Sequence, residues 1–255
     1  MHLLSDHYHW PARRRTLVFV AAFLLLFAFG HQATKGLGQR VLDREVARLI
    51  GSNRAFQLLD QHDSVFRRDL TEFARTVTSR SSTKDEAFTL GLAWGQKRLG
   101  PYMAKYLPQA SDSTAVSFAK VLLDLLRPLA RTDPETCIAY LFGQVEAASP
   151  VRPIVEDLQG RIMDAMAQVL EEGIRSPQPR VDSLVGAALV ERLIIQIQSE
   201  YGDSTISDLA LLADPGTARE EPARACKATV VLYNTVFTMP EATQGPTLRY
   251  LFAQD

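Results

Sequence analysis

Residues 17–29 read LVFVAAFLLLFAF, a run that contains no charged and no polar side chain. Three arginines, Arg13, Arg14 and Arg15, precede it, with Thr16 between them and the run. Strong apolar character at the centre of such a run favours insertion into a bilayer. We therefore expect this segment to decide the compartment in which the rest of the chain folds. The predicted anchor residues are Leu17, Val18, Phe19, Leu24, Leu25, Leu26, Phe27 and Phe29.

The length of the run does not decide between a membrane-spanning anchor and a signal peptide. A spanning helix needs about 20 apolar residues, and a run of about 10–14 is more typical of a signal-peptide core. Mildly polar flanks extend the candidate span to residues 16–34. The basic residues before it predict a cytoplasmic N-terminus and an exported C-terminal part. We favour a retained single-pass anchor in the inner membrane, with the domain in the periplasm.

Three other interpretations compete with the anchor. Small residues at Ala28 and Gly30 fit a cleaved signal peptide, with cleavage before His31 and release into the periplasm. Arg14 and Arg15 loosely resemble the start of a twin-arginine signal. A buried core helix in a cytosolic protein is the remaining one, but a helix that is apolar on all sides after three arginines is rare there.

Length and charge limit the number of domains and the kinds of partner that we expect. The chain has 255 residues, a net charge of −1 and 22% charged residues. That length after a leader fits one large domain or two small ones. Nucleic-acid binding would require a basic face or stripe, and nothing in the sequence indicates one, so we expect no nucleic-acid partner.

The two cysteines, Cys137 and Cys226, are the only ones in the chain. In an exported domain two cysteines predict one disulfide. Two separate buried thiols are the alternative, since free cysteine is among the most buried residue types.

The chain after the apolar run has a helical period throughout. No stretch alternates apolar and polar residues over five or more positions as a strand does. We expect an all-α fold: an irregular bundle of roughly ten helices behind one N-terminal apolar helix. The predicted divisions are a cytoplasmic tail at 1–15, the anchor or signal at 16–34, and a helical domain at 35–255. A proline-rich connector at 174–181 is a candidate internal boundary.

Local signals place individual helix ends. Thr83 and Glu86 have capping-box spacing, Asp133-Pro134 is a strong helix start, and Asp182 predicts another start. Gly100-Pro101 and Pro128 are expected to end helices, because a proline within a helix removes one backbone hydrogen bond.

Catalytic and metal-binding patterns are scarce. The last histidine is His62, so most of the chain has no histidine for Ser–His or Cys–His catalysis or for most zinc sites. His7 and His9 belong to the short tail. We therefore expect no enzyme activity, cofactor or metal, and predict an interaction or assembly module of the cell envelope with a protein partner.

Two alternative functions remain open. One is a glycan hydrolase that uses paired carboxylates, drawn from Glu156, Glu171, Glu172, Glu191 and Glu200. The other is a ligand-binding or sensory domain with a pocket lined by Trp94, Tyr102, Tyr106 and Phe118.

Overall fold

The computed structural model describes residues 39–81, 83–142 and 151–253. In these ranges the chain forms twelve α-helices, two short 3-10 helices and no strand. The predicted all-α fold is therefore confirmed, with twelve helices in place of roughly ten. The expected N-terminal apolar helix, its anchor residues and Arg13–Arg15 lie outside the described residues.

We number the α-helices in chain order. They are α1 (Gln39–Ser52), α2 (Arg54–His62), α3 (Phe66–Arg80), α4 (Lys84–Tyr106), α5 (Asp112–Thr132), α6 (Pro134–Leu141), α7 (Val151–Arg175), α8 (Ser183–Tyr201), α9 (Asp203–Ala210), α10 (Pro215–Glu220), α11 (Pro222–Thr238) and α12 (Glu241–Phe252). The 3-10 helices are Leu107–Gln109 and Leu211–Ala213. No described helix combines the length and the apolar character needed to cross a membrane.

Helices α5 and α7 form the centre of the bundle. Helix α5 packs against α7, α11 and α12, and α7 also contacts α2 and α4. A leucine-rich face of α5, with Leu125, Leu126 and Leu129 fully buried, supplies much of this packing. Residues 174 and 175 belong to α7, so the connector predicted at 174–181 spans 176–182 in the structure. One cluster of buried apolar residues includes side chains from α1 through α12, on both sides of this connector. At the periphery, α1 packs on α2 and α3, and α8 packs on α9, α11 and α12.

The predicted helix starts are confirmed. Thr83 and Glu86 form the capping box at α4, each side chain accepting a hydrogen bond from the other residue's backbone N–H. Asp133 accepts from the backbone N–H of Thr136 at 3.0 Å, with Pro134 as the first residue of α6. Asp182 accepts from two backbone N–H groups at the start of α8.

The expected helix ends at two prolines are wrong. Helix α4 continues through Pro101 to Tyr106, and α5 continues through Pro128 to Thr132. Each proline removes one intrahelical hydrogen bond. Fully buried neighbours, Leu99 and Met103 around the first proline and Leu129 beside the second, hold the helices in place through tertiary packing.

Cys137 in α6 and Cys226 in α11 lie at disulfide distance, with their Cα atoms 6.1 Å apart. The predicted cysteine pair is confirmed. Both residues are fully buried, and each stands in an early helical turn after a proline. The pair joins two helices across a sequence separation of 89 residues.

Candidate interaction surface

Helix α8 is held firmly on one side. Its buried face consists of Gly186, Leu189, Leu193 and Ile197. A side chain at Gly186 would overlap the ring of Tyr250, so α8 and α12 approach each other closely there. Gln196 donates a hydrogen bond of 2.9 Å to the Thr238 hydroxyl and so joins α8 to α11. These contacts fix which face of α8 points outward.

Helix α8 carries four of the five exposed large apolar side chains among the described residues. Leu184 is 81% exposed, Val185 54% and Ile195 57%, and Tyr201 at the end of the helix is 45% exposed. Among the large apolar side chains of the described residues, Val41 in α1 is the one other that is comparably exposed. A clustered apolar surface on a folded domain marks interaction sites, whereas scattered single residues need no explanation.

The exposed residues of α8 have a regular spacing. Leu184, Ala188, Glu191 and Ile195 stand at i, i+4, i+7 and i+11, and all four are exposed. This spacing places them on one stripe of a helix. Ala187 is exposed beside the stripe and Arg192 flanks it. The surface is therefore an apolar stripe with one acid within it and one base at its edge.

Sequence reasoning identified the buried face of α8 and missed the outward one. The helical period predicts an apolar face of Leu189, Leu193, Ile194 and Ile197 for this helix; the structure buries Leu189, Leu193 and Ile197 and half-buries Ile194. The signal for the second face was present, because Leu184 and Ile195 lie on the side opposite Leu193 at helical spacing.

The candidate catalytic carboxylates make contacts with different partners. Glu171 pairs with Arg54 of α2 and with Arg175 at 2.7 Å. Glu172 accepts from the Ser111 backbone N–H and from the Thr114 hydroxyl, both at 2.8 Å. These contacts connect helices. Glu191 and Glu200 are exposed on α8, and Glu156 lies in α7 with its side chain outside the described part.

The four aromatic residues proposed to line a pocket contact different neighbours. Trp94 stacks on Phe73 with ring centroids 5.0 Å apart, and Phe118 meets Phe252 edge to face. Tyr102 donates a hydrogen bond to Asp63. Tyr106 packs so tightly on α7 that a side chain at Gly173 would lie 2.6 Å from its Cβ.

Two tyrosines, Tyr140 and Tyr233, are buried in the core. Burial raises the pKa of the Tyr140 and Tyr233 phenols above the ordinary value of 10.0, so both stay neutral at physiological pH. Within the described ranges no three histidine, cysteine, aspartate or glutamate side chains are arranged to hold a metal ion.

The α8 surface is therefore the feature of the described chain that most strongly indicates a function. Comparisons with known proteins add no assignment to this geometry: no family model, no curated protein and no solved structure matches this chain.

Proposed function

We propose that this chain is a membrane-anchored helical interaction module of the cell envelope, with residues 16–34 as the anchor and the helical domain on the periplasmic side. The outward apolar stripe of α8 is the observation that carries the proposal. The cysteine pair at disulfide distance supports an oxidising compartment for the domain, because disulfides persist there and are rare in the cytosol.

The partner that fits the stripe is a protein with an apolar helical surface. An amphipathic helix recognises such a surface through residues at i, i+3, i+4 and i+7 spacing, and Leu184, Ala188 and Ile195 have it. Ala188 has a small side chain that permits close approach of a second backbone. Glu191 and Arg192 add charges within and beside the stripe, where charge governs the choice of partner more than affinity.

Site-specific photo-crosslinking in intact cells tests the proposal. A photoreactive amino acid replaces Ile195 in the full chain, and its matched control replaces Glu220, which is exposed on α10. We expect a discrete crosslinked product in the membrane fraction from position 195 and none from position 220. Leu184→Glu in the same chain is expected to remove the product, because it places a charge in the apolar contact.

The outcomes separate the parts of the proposal. Equal crosslinking from positions 195 and 220, or a product that survives Leu184→Glu, would show that α8 does not bind a specific partner. Recovery of the intact full-length chain in the soluble fraction would contradict the anchor.

A further inference from the structure

The first described helix, α1, presents arginines along its outer side. Arg40, Arg44 and Arg48 are exposed and stand at i, i+4 and i+8, which places them on one side of the helix. The opposite side, with Leu42, Val46, Leu49 and Ile50, is buried against the domain. Val41, at the start of the helix, is 39% exposed beside the arginines. The domain thus fixes the direction in which the basic stripe points.

The distance of α1 from the membrane follows from chain length. The candidate anchor ends at residue 34, and α1 begins at Gln39. Residues 35–38 lie between them, so the chain makes five Cα-to-Cα steps, which span at most about 17 Å even when fully extended. If the proposed anchor holds, the start of α1 therefore lies within reach of the lipid headgroups, whatever the conformation of the residues between.

On these two observations, and resting on the proposed anchor, we infer that α1 is a membrane-surface helix. Its arginine stripe binds the anionic phospholipid headgroups of the leaflet from which the chain emerges. Guanidinium groups suit this role because they bind phosphate oxygens in bidentate fashion, and basic residues beside a membrane segment are attracted to anionic lipid. This contact fixes the orientation of the domain on the membrane.

Two acidic residues, Asp43 and Glu45, lie on α1 beside the three arginines. Glu45 accepts from Arg48 at 2.9 Å, so these two charges largely offset each other. Asp43 takes part in an interaction within the protein. Arg40 and Arg44 are therefore the residues on which the contact with lipid depends most, and Arg48 contributes less.

A fluorescence experiment on the full chain tests this inference. Ala47, which is exposed beside the arginine stripe, is replaced by cysteine and labelled with a donor dye; Cys137 and Cys226 are fully buried and do not compete for the label. The chain is reconstituted into vesicles of phosphatidylcholine alone or with phosphatidylglycerol, each with a trace of headgroup-labelled acceptor. We expect stronger energy transfer in the anionic vesicles, and a loss of that difference at high salt.

Matched variants assign the effect to α1. Arg40→Gln with Arg44→Gln is expected to weaken the preference for anionic lipid by about fivefold per arginine. Arg180→Gln with Arg219→Gln removes the same charge from two exposed positions elsewhere, and should leave the signal unchanged. Equal energy transfer in the neutral and the anionic vesicles, or an equal decrease in both double variants, would overturn the inference.

Flotation of the chain with the phosphatidylcholine vesicles at high salt tests the anchor separately. Chain that floats there but shows no arginine-dependent signal would contradict the role of α1 and leave the anchor intact. Failure to float would contradict the anchor, and with it the basis of this inference.

Discussion

Arg249 is the buried charge on which several chain segments converge. Its guanidinium donates to the Pro108 carbonyl at 3.1 Å, to Asp112 at 3.0 Å and to the Pro179 carbonyl. Pro179 belongs to the connector before α8, and Asp112 begins α5. Arg249 therefore links the connector before α8 to the start of α5, at the centre of the bundle.

Arg249→Met should lower the free energy of unfolding by about 1–3 kcal/mol, because it leaves the buried Pro108 carbonyl without this donor and removes the contacts to Pro179 and Asp112. Urea unfolding of the full chain in detergent measures the change. Arg219→Met, at an exposed position on α10, is the control and should stay within about 0.5 kcal/mol of the wild type. Similar losses in both variants would mean that the Arg249 contacts contribute little.

Glu172 links stability to pH. Burial alone raises the pKa of its carboxyl, but hydrogen bonds from the Ser111 backbone and the Thr114 and Ser111 hydroxyls outweigh burial and lower it below the ordinary 4.5. A carboxyl with a lowered pKa in the folded state stabilises the protein above its unfolded pKa. That contribution is lost as the pH falls through the folded value.

We therefore expect the free energy of unfolding to decrease as the pH falls below 4.5, the ordinary pKa of Glu172. Glu172→Gln should make that decrease smaller, and Thr114→Val, which removes one donor, should reduce it in part. Urea titrations at several pH values read the effect. An unchanged pH profile in Glu172→Gln would show that this carboxylate does not couple folding to pH.

At the scale of elements, close approach of helices depends on glycine. Gly186→Ala places a methyl group into the ring of Tyr250, and we expect a loss of about 1–3 kcal/mol from overpacking. Gly160→Ala in α7 meets no atom within 4 Å and should stabilise by about 0.4–1 kcal/mol through helix propensity and reduced chain entropy. Thermal unfolding of both variants measures these two effects. Destabilisation by Gly160→Ala would contradict the open space that surrounds Gly160 in the structure.

Helix identity was predictable here, but several helix ends were not. Apolar periodicity and side-chain caps act within a few residues, so the starts at Thr83, Asp133 and Asp182 could be read from sequence. Continuation through Pro101 and Pro128 could not, because packing with distant segments outweighs the lost hydrogen bond.

One element was missed although its signal was local. Helix α10 begins at Asp214-Pro215, and Asp214 accepts from the Thr217 backbone N–H at 2.9 Å. The spacing of aspartate, proline and threonine repeats that of Asp133, Pro134 and Thr136 at the start of α6. The outward face of α8 was equally visible as a pattern, but its exposure depends on which partners cover the helix, and that is a tertiary property.

At the scale of the whole molecule, the cysteine pair limits the unfolded chain. Replacing both Cys137 and Cys226 by alanine should lower the free energy of unfolding by about 4–5 kcal/mol on the chain-entropy model, given the 89-residue separation. Chemical denaturation measures this loss, and the reduced wild type should show a similar one. A reduced wild type as stable as the oxidised protein would mean that the bond contributes no stability.

One mass measurement tests both predictions about the compartment, the retained anchor and the disulfide. The native chain is purified from membranes, denatured, and measured with and without reductant. A retained anchor predicts a mass that begins at Met1, and a bond between Cys137 and Cys226 predicts a gain of about 2 Da on reduction, for two hydrogen atoms. A mass that begins at His31 would instead show a cleaved signal and a free exported domain, and would contradict the proposed anchor and the lipid contact proposed for α1. An unchanged mass on reduction would mean that the paired thiols stay reduced, which would contradict the oxidising compartment on which the predicted topology depends.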